Sequence, residues 1–162
     1  MLKEFQNLNP TETAAMLDAI PNIVILVAAA DDNMDEEELA AAQRLADIRS
    51  FAGSAKLSAY YETIDDTLVS RVKELYAGLP KELSAREAIL FERLAALEPI
   101  IAKLESPFDY LYSETFHTFA RYVAEAHGGF LRFFTVGPKE AKVVDLPMLT
   151  RVPKPEDPKG LL

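Results

Sequence analysis

The chain has 162 residues, of which 49% are hydrophobic and 27% charged, a composition typical of one globular domain with a sizeable core. A formal net charge of −9 argues against a surface for nucleic acid or anionic lipid, because both require clustered Lys and Arg. The absence of cysteine excludes disulfides, Cys-ligated zinc and thiol catalysis, and it favours a cytoplasmic protein.

The first predicted element is an unusually apolar helix. Leu17, Ile20, Val24 and Val27 follow helical spacing, and the run from Ile23 to Ala30 is apolar on every side. Such a pattern is typical of a helix that is buried all round. The run is shorter than the roughly 20 residues of a bilayer span, so we expect no membrane insertion.

The apolar helix leads into a corner crowded with carboxylates. These are Asp31, Asp32, Asp35, Glu36, Glu37 and Glu38. Asp35 is predicted to be the N-cap of a second helix that extends to about Phe51, with Glu38 completing a capping box at N3. Caps and first-turn charges explain most of these residues structurally. Asp31 fits that explanation least, because its negative charge follows a helix C-terminus, where the dipole is unfavourable.

An EF-hand is one interpretation of this corner. Asp31, Asn33 and Asp35 match loop positions 1, 3 and 5. However, Glu36 stands where the loop requires Gly, and Ala42 stands where it requires Glu. We therefore expect no EF-hand loop, and a less regular site of carboxylate oxygens for Ca²⁺, Mg²⁺ or Mn²⁺ remains open.

Further apolar stripes at helical spacing follow along the chain. They cover residues 57–79, with a break predicted at Asp65 or Asp66, then 84–104, then 106–127, and a short helix from Gly137 to about Leu146. No segment between Ala14 and Leu146 alternates as a strand does. The sequence therefore predicts an all-α bundle of about seven or eight helices.

Several helix boundaries have recognisable signals. Thr11 is predicted to cap the first helix, and Pro21 to start or kink a helix. Ser84 and Glu87 predict a capping box, and Ser106–Pro107 a cap followed by proline at N1.

The last part of the chain is different in character. Four prolines fall within residues 147–162, and no helical period is present. We expect a domain over residues 1–146, followed by an extended tail over 147–162 that lies on the domain or on a neighbour.

Two stretches 96 residues apart resemble each other. Val27–Asp31 leads through a turn to Asp35 and Glu38, and Val123–His127 leads through a turn to Gly137 and Glu140. Each is an apolar helix, a corner, and a helix with Glu at N3. This similarity suggests two related helical halves, and it would bring Glu140 near the acidic corner.

Catalytic signals are weak. His117 and His127 lie ten residues apart on one helix, about 80° from alignment, so they make a poor metal pair. His117 is predicted to be a packed core residue. Neither a phosphate loop nor a catalytic triad stands out. We expect no enzyme, and the alternative of an enzyme requires a pocket with convergent titratable groups.

The two acidic segments resemble the signatures of the TerB-like (tellurite-resistance) family. The stretch 28–38, Ala-Ala-Ala-Asp-Asp-Asn-Met-Asp-Glu-Glu-Glu, is similar to that family's Ala-Ala-Asp-Gly-x-Ile-Asp-x-x-Glu. The stretch 123–140 is similar to its second signature, a Ser-Gly-Gly-Phe-Leu run followed by a Glu-bearing helix. This chain differs at Asp32, His127 and Gly137, where the family has Gly, Ser and a different cap.

The resemblance implies a bacterial cytoplasmic helical domain, built as a duplication, without catalysis and linked to stress response. It implies a divalent-cation site at Asp31, Asp35, Glu38 and Glu140. The alternative is a protein–protein interaction module whose acidic face docks a basic partner without metal.

Overall fold

The computed structural model describes residues 1–30, 34, 36–52, 54–128 and 143–156, and within these ranges the side chains of 38, 51, 52 and 126–128 are not described. The described residues are helical without strands, which confirms the all-α prediction. The α-helices are α1 (Pro10–Ala28), α2 (Glu36–Ala52), α3 (Ser58–Asp65), α4 (Leu68–Ala77), α5 (Leu83–Ala95), α6 (Leu97–Ile101) and α7 (Phe108–Gly128). Short 3₁₀ helices cover Lys3–Phe5 and Ala55–Leu57.

Helix α1 is the centre of the fold and packs against α2, α4, α5, α6 and α7. Every residue from Ala19 to Ala30 is buried, as the apolar pattern predicts. By length and composition alone, α1 is also long and apolar enough to span a membrane, with a mean hydropathy of 1.4. The sequence-based expectation considered only the shorter run Ile23–Ala30 and did not indicate this. Because 61% of that window is buried inside the protein, the same composition suits a central core helix.

The start of α1 differs from the prediction. Asn9, rather than Thr11, is the N-cap, and its Oδ1 accepts from the backbone N–H of Glu12 at 2.8 Å. Glu12 Oε2 accepts in return from the backbone N–H of Asn9 at 3.0 Å, which completes a capping box. Pro10 occupies N1, where its missing N–H costs no hydrogen bond. Pro21 lies inside the continuous helix.

The helical stretch over residues 57–79 divides at Asp65, as the sequence predicts, but the capping residue of the second helix differs from the prediction. Helix α3 ends at Asp65, and the N-cap of α4 is Thr67 rather than an aspartate. Helices α5 and α6 are separated at Ala96, so α5 ends at the residue four before Pro99. A proline ring clashes with the carbonyl of the residue four before it, which explains this position.

An aromatic cluster joins the N-terminal segment, α3 and α7. The rings of Phe5, Tyr60 and Tyr112 pack together, with centroid distances of 5.1–6.3 Å. Tyr60 also donates to the carbonyl oxygen of Met16 on α1 at 2.8 Å. Edge-to-face rings add specific geometry to the burial of large apolar areas. The first halves of α1 and α7 therefore lie at the same end of the bundle.

The segment 143–156 lies along α6 and α7. Leu146 and Leu149 are buried, and the backbone N–H of Val152 donates to Ser113 Oγ at 2.9 Å. The residues 143–145 form a turn, and Leu146 has a φ of 45°. The predicted helix from Gly137 thus has turn geometry over its last described residues, and its earlier part lies outside the described ranges.

Candidate metal site

The acidic corner joins α1 to α2, but its predicted ligands fall almost entirely outside the part of the chain that the structure describes. Asp31, Asp35 and Glu140 lie outside it. Glu38 lies in the first turn of α2, and its side chain is not described. What the structure provides is the frame of the corner, namely how α1 ends, how α2 begins, and which charges surround these helix ends.

Helix α1 ends inside the core. Ala28, Ala29 and Ala30 are each at most 1% exposed. The backbone N–H of Ala29 donates to the carbonyl of Ile25 at 2.9 Å, and that of Ala30 to Val27 at 3.3 Å. The last carbonyl groups of the helix have no partner within the helix itself, so a buried end requires another donor.

Arg86 at the start of α5 is that donor, and it was not predicted from the sequence. Its side chain is 2% exposed, and Nη2 donates to the carbonyl oxygen of Ala29 at 2.9 Å. Nη1 donates to the carbonyl oxygen of Lys81 at 3.1 Å, and the guanidinium lies 5.4 Å from the centre of the Tyr76 ring. A cation at a helix C-terminus offsets the negative end of the dipole. The structure thus places a positive charge beside the corner, which reduces the need for a bound cation there.

Helix α2 begins in agreement with the sequence. Its first residue is Glu36, one position after the predicted N-cap Asp35, which itself lies outside the described residues. Glu36 and Glu37 are exposed in the first turn, where the helix dipole favours negative charge. Met34 is half-buried and packs against the core, so the corner is anchored to the core at both ends.

Over the described ranges, no group of three or more His, Asp or Glu side chains is arranged to hold a metal. His117 is buried with both ring nitrogens engaged, Nδ1 2.7 Å from the carbonyl oxygen of Ser113 and Nε2 2.9 Å from that of Leu149. This confirms its predicted role as a packed residue. The side chain of His127 is not described.

A pair of carboxyl groups lies between α2 and α3. Gln43 Nε2 donates to Asp47 Oδ1 at 2.8 Å and to Asp65 Oδ1 at 2.6 Å. A hydrogen bond between the two carboxyl groups, followed by burial and the charge of Asp47, raises the pKa of Asp65 to about 6. The same hydrogen bond lowers the pKa of Asp47. The titrations of the two carboxyl groups are thus linked, and a linear spacing of 18 residues gave no signal of this.

A depression of about 510 Å³ is formed by the N-terminal segment, α1 and α3. Its lining is mainly apolar, and Glu62 is its one titratable side chain. An enzyme of the kind considered above needs several titratable groups converging on one pocket. This depression does not provide them.

No family model, curated protein or solved structure matches the chain. The relationship to the TerB-like family therefore stays a prediction from the motifs at 28–38 and 123–140.

Proposed function

We propose that the chain is a non-enzymatic TerB-like helical domain of the bacterial cytoplasm, whose acidic corner binds a divalent cation in a stress-response role. Ca²⁺, Mg²⁺ and Mn²⁺ are the ions that such oxygen ligands favour. The proposed ligands are Asp31, Asp35 and Glu38, with Glu140 from the second half of the chain.

The observation that carries this proposal is the shortness and anchoring of the corner. Only seven residues, 29–35, separate the end of α1 from the start of α2, and Ala30 and Met34 pack into or against the core. A carboxylate cluster on a segment anchored at both ends loses less conformational entropy on binding an ion than one on a free loop.

The arrangement of α1 and α7 supports the contribution of Glu140. The two helices pack against each other, and their first halves lie at the same end of the bundle. Both helices therefore run towards the other end, where the acidic corner follows α1 and the Gly-Gly stretch follows α7. This arrangement also supports a duplication of two helical halves, within a bundle of seven or eight helices.

The experiment is calorimetric titration of chelator-treated protein with Ca²⁺, Mg²⁺, Mn²⁺ and Zn²⁺. We expect saturable binding at micromolar or tighter Kd, lost in Asp31→Asn and in Glu38→Gln. Glu36→Gln is the matched control, because it removes the same charge from the first turn of α2 without removing a proposed ligand. Absence of saturable heat with every ion, or equal loss in the control, would reject the site.

The second proposal is an interaction module that docks a basic protein partner without metal. The net charge of −9 and the exposed Glu36 and Glu37 favour it, since charge complementarity steers association. Binding should then weaken with salt, survive chelator, and decrease in Glu36→Gln. A partner whose binding requires a divalent ion would instead favour the first proposal.

A further inference from the structure

A small pocket lined in part by the positively charged side chain of Arg49 lies at the C-terminal end of α2, away from the acidic corner. Its volume is about 240 Å³, which is room for about eight water molecules at roughly 30 Å³ each. It is lined by Arg49, Ser54, Leu57, Tyr61, Leu111, Glu114, Thr115 and Thr118. These residues come from α2, the connection to α3, α3 itself and α7. The pocket therefore combines one guanidinium, several hydroxyl groups and two leucines.

Arg49 is held in this pocket by neutral oxygen atoms. Its Nη1 donates to the hydroxyl of Tyr61 at 3.0 Å, to the carbonyl oxygen of Thr115 at 3.1 Å, and to Thr115 Oγ1. Its Nη2 donates to Thr118 Oγ1 at 2.9 Å. The guanidinium also lies 5.4–5.7 Å from the ring centres of Phe119 and Tyr61. These contacts fix the orientation of the guanidinium without neutralising its charge.

Two N–H donors of the Arg49 guanidinium are not used by the hydrogen bonds just described. A guanidinium has five N–H groups. Within the described part of the chain, both groups of Nη1 and one of Nη2 are engaged, so Nε–H and one N–H of Nη2 have no partner. In the same chain, Arg71 uses Nε and Nη2 to bind both oxygens of Asp18 at 2.8 Å. Arg49 therefore keeps unused donors on Nε and Nη2, the two nitrogen atoms with which Arg71 binds a carboxylate.

The other groups of the pocket define the ligand more closely. Leu57 and Leu111 offer apolar surface, and the Ser54 side chain caps no backbone N–H. Glu114 lies at the pocket, and its ion pair with Arg151 at 3.5 Å offsets part of its negative charge. The remaining repulsion acts more strongly on a doubly charged anion than on a singly charged one. A singly charged group with a short alkyl chain fits all of these features.

We propose that this pocket binds a small organic monocarboxylate. The carboxylate accepts from Nε and Nη2 of Arg49 and from the Ser54 hydroxyl, and the alkyl chain lies against Leu57 and Leu111. Bidentate pairing of a guanidinium and a carboxylate supplies the specificity, since it combines charge with fixed geometry. The site involves neither the acidic corner nor a metal.

The test is a titration of the full chain with 3-methylbutanoate, followed by two-dimensional NMR at constant ionic strength. We expect saturable shifts around Arg49, Ser54 and Leu111, with a millimolar or tighter Kd. Inorganic phosphate and 3-methylbutanol should bind at least tenfold more weakly, because one carries excess charge and the other none. Equal binding of phosphate, or shifts that do not saturate, would overturn the proposal.

Two variants locate the site. Arg49→Lys keeps the charge but lacks the two-donor edge, and it should weaken binding at least tenfold. The matched control is Arg44→Lys, an exposed arginine on the same helix, which should bind like the unaltered chain. If Arg49→Lys fails to fold, Leu111→Trp fills the pocket while leaving Arg49 in the sequence, and it should abolish binding. Unchanged binding in a folded Leu111→Trp variant would reject the site.

Discussion

The imidazole Nε2 of His117 lies 2.9 Å from the carbonyl oxygen of Leu149, and this contact ties the C-terminal segment to α7. The other ring nitrogen, Nδ1, lies 2.7 Å from the carbonyl oxygen of Ser113 in the preceding turn. Both neighbours are carbonyl acceptors, so a hydrogen bond forms only from a ring nitrogen that carries a proton. One buried side chain on α7 therefore contacts the backbone of a residue that lies 32 positions later in the chain.

Replacing His117 by phenylalanine should loosen this segment. The ring volume is largely kept, but the imidazole hydrogen bonding beside these two buried carbonyl oxygens is lost, at a cost of about 1–3 kcal/mol in the free energy of unfolding. Amide hydrogen exchange at Thr150 and Val152 should accelerate. Tyr122→Phe is the control, because Tyr122 is an aromatic residue on the surface of the same helix. Unchanged exchange at Val152 would show that other contacts of the segment, such as the bond from the Val152 N–H to Ser113 Oγ, hold it without His117.

Replacing Arg86 by methionine should destabilise the end of α1. The long unbranched side chain fills similar space, but the buried carbonyl oxygen of Ala29 loses its donor, at a cost of about 1–3 kcal/mol. Urea unfolding measures this loss, and Arg44→Met is the exposed control. If the acidic corner binds a cation, Arg86→Met should also bind it more tightly, since a neighbouring positive charge is removed. Unaltered stability would mean that another group satisfies Ala29.

The pair Asp47 and Asp65 predicts a pH dependence of stability. The pKa of Asp65 is raised from an ordinary value of 3.8 to about 6 in the folded chain, so folding favours its protonated form. Its contribution to stability is therefore complete below pH 3.8 and is lost as the pH rises through about 6. The pKa of Asp47 is lowered, so its own contribution is lost only at more acidic pH.

Asp65→Asn should remove the part of this dependence that is due to Asp65. The amide is neutral at every pH and donates to Asp47, so the variant should be more stable than the unaltered chain at pH 7.5. We expect a gain below about 1 kcal/mol, because solvent screens a partly exposed pair. Urea unfolding at pH 4.5 and 7.5 measures it, with the exposed Glu62→Gln as control. Identical pH slopes in the variant and the unaltered chain would contradict the raised pKa of Asp65.

The capping box of α1 gives a prediction with a matched pair of substitutions. Asn9→Ala should lower the free energy of unfolding by about 1 kcal/mol, because the N–H of Glu12 loses its acceptor. Thr11→Ala, two residues later, should change it much less, since Thr11 lies inside the helix and is exposed. Thermal unfolding distinguishes the two. A larger loss in the free energy of unfolding for Thr11→Ala than for Asn9→Ala would instead support Thr11, the N-cap predicted from the sequence.

Apolar periodicity predicted the buried faces of the helices well. The apolar stripe predicted over residues 84–104 includes Leu90, Leu94, Leu97, Ile101 and Leu104, and each of these is at most 6% exposed. The pattern continues past the break at Ala96, since Leu97 and Ile101 on α6 are buried as well. Hydrophobic spacing records which side of a helix faces the core, so it is readable without knowing the neighbour.

Caps were less predictable because several suitable residues compete within one turn. At α5, Ser84 was predicted as the N-cap, but the carboxylate of Glu82 accepts from the backbone N–H groups of Ser84 and Ala85 at 3.0 and 2.7 Å. Which candidate acts depends on the residue that adopts the extended conformation just before the helix. The backbone path decides that, and it is set by packing elsewhere.

The charges around the candidate sites were not predictable from the linear sequence. Arg86 meets Ala29 across 57 residues, and Arg49 meets Thr115 across 66. Both arginines lie on helices whose patterns mark them only as polar positions. Their partners are backbone carbonyls and hydroxyls, which carry no charge that a search for ion pairs would detect. Such contacts arise from the packing of helices, and only the three-dimensional structure displays them.

The aromatic cluster gives the chain a built-in optical reporter. There is no tryptophan, and of six tyrosines Tyr60, Tyr61 and Tyr112 are at most 1% exposed. Unfolding transfers these three phenols from a packed interior to water, so their ultraviolet absorbance and near-ultraviolet circular dichroism change together. They lie on α3 and α7, and Tyr60 is hydrogen-bonded to α1. A signal free of indole therefore follows the packing of these helices without any added label.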